Sequence, residues 1–166
     1  IQMVTWGHPV TTGSPNIDFF LLPKHMVSNT EQFCETVVPI PSPNIYYKKV
    51  LSTNSHEINQ KYDIPEGNLY ACPQTLYKFH PDYMSVFAGI LEQDPNAIFV
   101  LSQASSRYWS KQLVETWKEH IPHIERHIFW LPSVPREEFI DILSICDVMI
   151  DPFPFGGGNT ILEALS

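Results

Sequence analysis

The second half of this chain predicts an α/β fold built on a doubly wound parallel sheet. Three observations carry that prediction. Short apolar runs alternate with segments whose apolar residues recur at helical spacing. The runs are nearly continuous rather than alternating, as strands covered on both faces require. Turn-forming residues separate each run from the next helical pattern.

The elements follow in order. "NLYACPQ" (68–74) is a first strand. "HPDYMSVFAGILEQDP" then places Tyr83, Val86, Phe87, Ile90 and Leu91 on one helical face, with Pro81 suited to the first turn. "AIFVLS" is a second strand, and "YWSKQLVETWKEH" carries Leu113, Val114 and Trp117 on one face. "HIFWLPS" is a third strand. "PREEFIDILSICD" opens with Pro135 and early acids, and stripes Phe139, Ile142, Leu143 and Cys146. "VMIDPFP" is a fourth strand, followed by "GGGNT" and the start of a helix.

Residues 1 to about 60 have another grammar, rich in Pro, Ser, Thr and Asn. "IQMVTW" and "NIDFFLLP" have strand composition. "ETVVPIPSPNIYY" is broken by three prolines, which predicts an edge or extended segment. "STNSHEINQKYDIPEGN" reads as a connector or mobile loop.

Composition narrows the function. The chain has 166 residues, enough for one domain or pieces of two. A net charge of -8 argues against a broad nucleic-acid footprint. No apolar run approaches the roughly 18 residues of a membrane span. Three scattered cysteines, Cys34, Cys72 and Cys146, fit a reducing compartment, so a cytoplasmic or nuclear location is expected. The chain starts without Met and stops about one turn into a helix, which reads as a fragment, weakly stable and inactive alone.

Chemistry concentrates at the sheet's carboxyl edge, where open parallel sheets bind ligands. The glycines of "GGGNT" let a ligand approach the main chain, and the helix that follows favours an anion such as a diphosphate. A flexible connection without a ligand is the competing reading. The motif is neither a P-loop nor a GxGxxG fingerprint. Glu163 completes a capping box with Thr160 or else faces ribose hydroxyls, and the spacing leaves both open. Lys78, after the first strand, is a solvated loop residue or a phosphate partner at the same edge. Arg136 is a surface charge or a ligand contact. His8, in "GHPVTTG", is a structural turn histidine or a proton-transfer group. The remaining histidines (25, 56, 80, 120, 123, 127) form no metal-site pattern, and no GxSxG elbow is present.

Four segments, in order, resemble the O-GlcNAc transferase family, glycosyltransferase family 41. "VTWGHPVTTGSPNIDFFL" is similar to its W-x-G-[HY]-P-x-T-[ST]-G-x-x-x-x-D segment, with Trp6 directly before Gly7. "EQFCETVVPIP" loosely resembles "YSEKLVRLP". "TLYKFHPDYMSVFAGILEQDPNAIFVL" is similar to "NLYKIDPxxxxxWxxILxxVPNSxLWL". "LPSVPREEFIDILSICDVMIDPFPFGGGNT" follows "PLxPxEEHxxxxxxADxxLDTFPYNGxTT", and is closer still to the "NPFPFGNTNGIID" of the family's bacterial protein N-glucosyltransferases.

The resemblance implies a GT-B type fold of two Rossmann-like lobes. Residues 1–62 would be the end of the N-terminal lobe and a connector, and residues 63–166 a truncated C-terminal, nucleotide-sugar-binding lobe. It implies transfer of a sugar, GlcNAc first, from UDP-GlcNAc or a related donor to protein Ser/Thr, inverting and metal-independent, with no cofactor. Tetratricopeptide repeats precede this region in many relatives. Lys78 matches the diphosphate lysine; Gly157, Gly158, Asn159 and Thr160 match the diphosphate turn. Glu163 matches the ribose acid, Val134 and Arg136 the base loop, and His8 the Tyr/His slot of the lobe-facing loop. Phe139 stands where a nucleobase histidine is expected, and Gly158-Asn159 where His-Thr or Thr-Thr is expected. A non-catalytic nucleotide-binding or interaction remnant of the same fold is the alternative.

Overall fold

The structure is a computed structural model and describes residues 1–8, 10–41, 45–49 and 55–166. Pro9, Pro43 and residues 50–54, on which parts of the sequence reading fall, lie outside the described residues. The chain forms two compact units, Ile1–Tyr47 and Lys48–Ser166.

The first unit holds a parallel sheet in the order β1-β2-β3, with β1 Met3–Thr5, β2 Phe19–Pro23 and β3 Thr36–Ile40. The central strand is the most apolar. Phe20 and Leu22 are buried, and Phe33 packs edge-on against Phe20 at 4.8 Å between centroids. β3 lies at an edge and pairs Pro39 opposite Leu22. A proline without an N–H is tolerated there because one side of the strand needs no donor.

The second unit holds a four-stranded sheet, all parallel, in the order β6-β5-β4-β7. Its elements are α1 Ser55–Tyr62, β4 Asn68–Cys72, α2 Met84–Gln93, β5 Ala97–Ser102 and α3 Arg107–Lys118, then β6 Ile128–Leu131, α4 Arg136–Ser144, β7 Val148–Met149 and α5 Asn159–Ala164. β5 explains the architecture by itself. Ala97 through Leu101 are all buried, and the pleat sends successive side chains to opposite faces. Ala97, Phe99 and Leu101 join Tyr83, Phe87 and Trp117 of the α2–α3 side. Ile98 and Val100 join Ile58 and Ile142 of the α1–α4 side. Helices therefore cover both faces, as the near-continuous apolar strands predict.

The first core is strongly aromatic. Phe87 lies edge-on to Phe99 at 4.6 Å and to Tyr83 at 5.2 Å, and tilts against Trp117 at 4.6 Å. Such pairs add about 0.5–1.5 kcal/mol each beyond burial.

Two local readings change. Residues 55–62 are a helix packed on α4 rather than a connector. Ile58 is buried, while Lys61 Nζ and Tyr62 Oη donate to Glu138 Oε2 at 2.7 and 2.5 Å. The polar remainder of α1 hides that single apolar anchor in the sequence. Pro81 opens a 3₁₀ turn, Pro81–Tyr83, and α2 begins only at Met84. Among the described residues, no helix is long and apolar enough to cross a membrane.

Candidate functional site

In strand order the second sheet runs third, second, first, fourth. Its direction of winding reverses between β4 and β7, which opens a crevice at their carboxyl ends. β7 joins β4 through Asp147 N–H to the Leu69 carbonyl, 2.9 Å, and Ile150 N–H to the Ala71 carbonyl, 2.8 Å. The segments leaving these two strands meet in the crevice.

From β4 the chain runs through Gln74 into a 3₁₀ turn, Leu76–Lys78. From β7 it runs through Asp151 into Gly156, Gly157 and Gly158, and then into α5. The ammonium of Lys78 donates to the Gly156 carbonyl at 3.1 Å and to Gln74 Oε1 at 2.9 Å, and lies 5.1 Å from the Phe155 ring centroid. Lys78 and the glycine turn, which the sequence places at one sheet edge, are thus in direct contact.

The glycines have separate reasons. A Cβ on Gly156 would lie 2.6 Å from Asp151 Oδ2, and one on Gly157 would lie 2.5 Å from Gln74 Nε2 and 2.7 Å from Ile161 Cγ1. A Cβ on Gly158 would meet nothing within 4 Å. The first two are bare because polar side chains, exposed Asp151 and buried Gln74, press on the backbone; the third leaves the helix start open.

Two residues of this site carry no signal in the sequence. Gln74 is 4% exposed, and its Nε2 has no hydrogen-bond partner among the described residues. Leaving a buried amide donor unpaired costs about 1–3 kcal/mol. Asp151 Oδ1 accepts the Gly157 N–H at 2.5 Å, so one of the turn's amides already holds a carboxylate. The meeting of the two strand ends shows the role of Gln74, and the folding of the turn back on itself shows that of Asp151.

Arg136 and Glu163 are also brought together. The guanidinium Nε and Nη2 donate to Glu163 Oε1 at 2.9 and 2.8 Å. The capping-box alternative for Glu163 fails: Gly158, not Thr160, is the N-cap of α5, and Arg136 takes the carboxylate. Asn159 is exposed and Thr160 half-buried in the first turn of α5. Val134 is half-buried and packs on the α1–α4 core. Phe139 packs on the same core.

Open space surrounds the strand ends. A cavity of about 710 Å³ adjoins the Lys78 turn, walled by Leu76, Tyr77, Trp109 and Leu113 and edged by Thr75 and Gln103. Another of about 520 Å³ lies at the ends of β5 and β6, between Gln103, Arg107 and Ser133. Beneath the site, burial pushes the Cys72 thiol up to about 12, which makes it a core group rather than a nucleophile.

His8 belongs to the first unit, exposed in the loop after β1. That loop is held by Glu35, a buried acid that the sequence reading does not single out. Among the described residues no group of three His, Cys, Asp or Glu side chains is arranged to hold a metal ion.

No protein-family model matches the chain. UDP-glucose:protein N-beta-glucosyltransferases of two serotypes of Actinobacillus pleuropneumoniae are each 24% identical over 177 aligned positions, covering 100% of this chain and 27% of theirs. A probable UDP-N-acetylglucosamine–peptide N-acetylglucosaminyltransferase, SEC, of Arabidopsis thaliana is 33% identical over 107 positions, covering 58% of this chain and 11% of its own. The chain thus spans about a quarter of the length of the bacterial relatives. A solved structure of a mutant Thermobaculum terrenum O-GlcNAc transferase superposes with a TM-score of 0.76 at 21% identity, covering 99% of this chain and 31% of that one, which shows the fold. In its GT-B type, Rossmann-like fold, its ordered motifs and these relatives, the chain is similar to the O-GlcNAc transferase family, glycosyltransferase family 41.

Proposed function

We propose that the second unit binds the nucleotide-sugar donor of a protein glycosyltransferase and that the sugar, GlcNAc in the first instance, passes to a protein Ser/Thr hydroxyl. The observation that carries this reading is the Lys78 ammonium resting 3.1 Å from the carbonyl of Gly156, at the switch point between β4 and β7. A donor diphosphate entering the crevice exchanges that carbonyl for phosphate oxygens, a stronger, charge-assisted partner for the ammonium. Amides at the start of α5 face the same charge. Val134, on the loop before α4, and Arg136, the first residue of α4, are proposed for the base, and Glu163, steadied by Arg136, is the acid proposed for the ribose.

Breaking the anomeric bond builds negative charge on the leaving diphosphate and positive charge on the sugar ring. Lys78 and the turn stabilise the departing oxygen without reorganising, and losing one such donor costs about 3–4 kcal/mol of barrier. In this reading the Lys78 ammonium and the turn's amides, rather than a metal ion, stabilise the diphosphate charge. His8 is the proposed proton-transfer group for the acceptor, which attacks the opposite face of the sugar and inverts it.

A second reading replaces GlcNAc with glucose and the hydroxyl with an Asn amide. Alignment with the bacterial N-glucosyltransferases over the whole chain favours it. Calorimetric titration with UDP, UDP-GlcNAc, UDP-glucose and GDP, on the wild type and Lys78→Ala, tests the proposal. Uridine nucleotides bind and Lys78→Ala loses that binding. Equal binding by Lys78→Ala, or binding of no nucleotide by the folded protein, refutes it. The tighter of the two UDP-sugars decides between the readings.

A further inference from the structure

Glu35 immediately precedes β3 in the first unit and is 5% exposed, unusual for a carboxylate with no cationic partner among the described residues. It is held by three donors from one loop. Thr11 Oγ1 donates to Oε2 at 2.7 Å, Thr12 N–H donates to Oε1 at 2.8 Å, and Thr12 Oγ1 donates to Oε1 as well. Both hydroxyls, having given their protons to the carboxylate, accept from the main chain. Thr11 Oγ1 takes Gly13 N–H at 3.2 Å and Cys34 N–H at 3.3 Å, and Thr12 Oγ1 takes Ser14 N–H at 3.2 Å. Gly13, at φ +67°, turns the chain at this point. The hydrogen bonds of Thr12 and Thr11 hold the Glu35 carboxyl down at about 2.

This pattern needs an acceptor-only group. An amide in place of the carboxylate points an N–H at Thr11 Oγ1, whose lone pairs already accept two main-chain amides. The clamp therefore fixes residues 11–14 against Cys34 and Glu35, more than 20 positions away in sequence. β1 ends at Thr5, so His8 hangs between the sheet on one side and this clamp on the other.

We propose that Glu35 is the positioning residue of the His8 loop, fixing through Thr11 and Thr12 where the His8 imidazole stands on its own unit. The inference rests on the reading of His8 given above. Misplacing a reacting group by about 1 Å costs up to about 100-fold in rate.

The test is a double-mutant cycle on kcat in the full-length protein, with His8→Ala, Glu35→Gln and the pair, alongside donor KM, UDP affinity and melting temperature. Glu35→Gln lowers kcat about 10- to 100-fold and leaves donor KM and UDP affinity unchanged. In the His8→Ala background, Glu35→Gln costs nothing further, because the acid acts only through the histidine. Thr12→Val, which removes one donor and keeps the acid, repeats the pattern more weakly and serves if Glu35→Gln does not fold. Losses that multiply in the double mutant, or wild-type kcat in Glu35→Gln or Thr12→Val, overturn the proposal. Wild-type kcat in His8→Ala refutes the reading of His8 and this inference with it, while leaving the Lys78 titration untouched.

Discussion

Gly157→Ala separates a spacer glycine from one that a neighbouring side chain demands. The added methyl would sit 2.5 Å from Gln74 Nε2, 3.0 Å from Gln74 Cδ and 2.7 Å from Ile161 Cγ1. Gln74 is buried and its oxygen holds Lys78, so it has little room to retreat. Overpacking of this kind costs about 1–3 kcal/mol. A loss of about 2 kcal/mol lowers the melting temperature by roughly 4–8 °C. The same displacement pulls Gln74 away from the Lys78 ammonium. A hydrogen bond to a charged group is worth about 1.5–3 kcal/mol, so UDP binding should weaken by about 10- to 150-fold. Gly158→Ala is the control, because its methyl meets nothing within 4 Å. Both alanines gain the same unfolded-state entropy term, about 0.4–1 kcal/mol, which cancels between them. Thermal melts by circular dichroism and calorimetric titration with UDP read the two effects. If the two alanine variants melt together and bind UDP alike, contact between Gln74 and the turn is not what keeps position 157 bare.

Three further outcomes are expected. Glu35 has its carboxyl depressed in the folded state, so its contribution is complete above its ordinary value near 4.5 and fades as pH falls towards about 2. Melts between pH 6 and 2 should show that dependence in the wild type and less of it in Glu35→Gln; parallel curves would contradict it. Burial pushes the Cys72 and Cys146 thiols up to about 12, whereas Cys34 is exposed, so a thiol reagent at pH 8 should label one cysteine quickly and the other two only in denaturant. Phe87→Ala removes a ring packed against Tyr83, Phe99 and Trp117 and should cost about 3–5 kcal/mol, measured by urea unfolding; a loss under about 1 kcal/mol would mean that the aromatic core collapses to fill the gap.

The four strands of the second sheet were legible because each is a nearly continuous apolar run, and β5 buries that run on both faces. The approach of Lys78 to the glycine turn was legible for a topological reason: in a parallel sheet every strand delivers its following loop to one edge. Helix α1 was hidden because Ile58 and Tyr62 are its apolar residues and only one is deeply buried. Its stability comes from α4, which no local pattern announces. Glu163 illustrates the same limit. A capping box and a tertiary ion pair share one sequence, and Arg136, 27 positions away, decides between them. Gln74 presses on the glycine turn and Glu35 holds the loop after β1, both with partners distant in sequence, so their chemistry exists only once the chain has closed on itself; Asp151 binds Gly157 within its own loop, a turn that no local pattern announces.

The pairing of β7 beside β4 has a consequence for assembly. It brings Lys78 to a carbonyl 78 positions further along, so the crevice proposed for the diphosphate depends on one of the longest loop closures in the second unit. A chain with β4, β5 and β6 paired but β7 not yet added would lack the proposed seat for a pyrophosphate. Nucleotide present during refolding would therefore recognise only completed molecules, and at a hundred times its dissociation constant would favour them by about 2.7 kcal/mol.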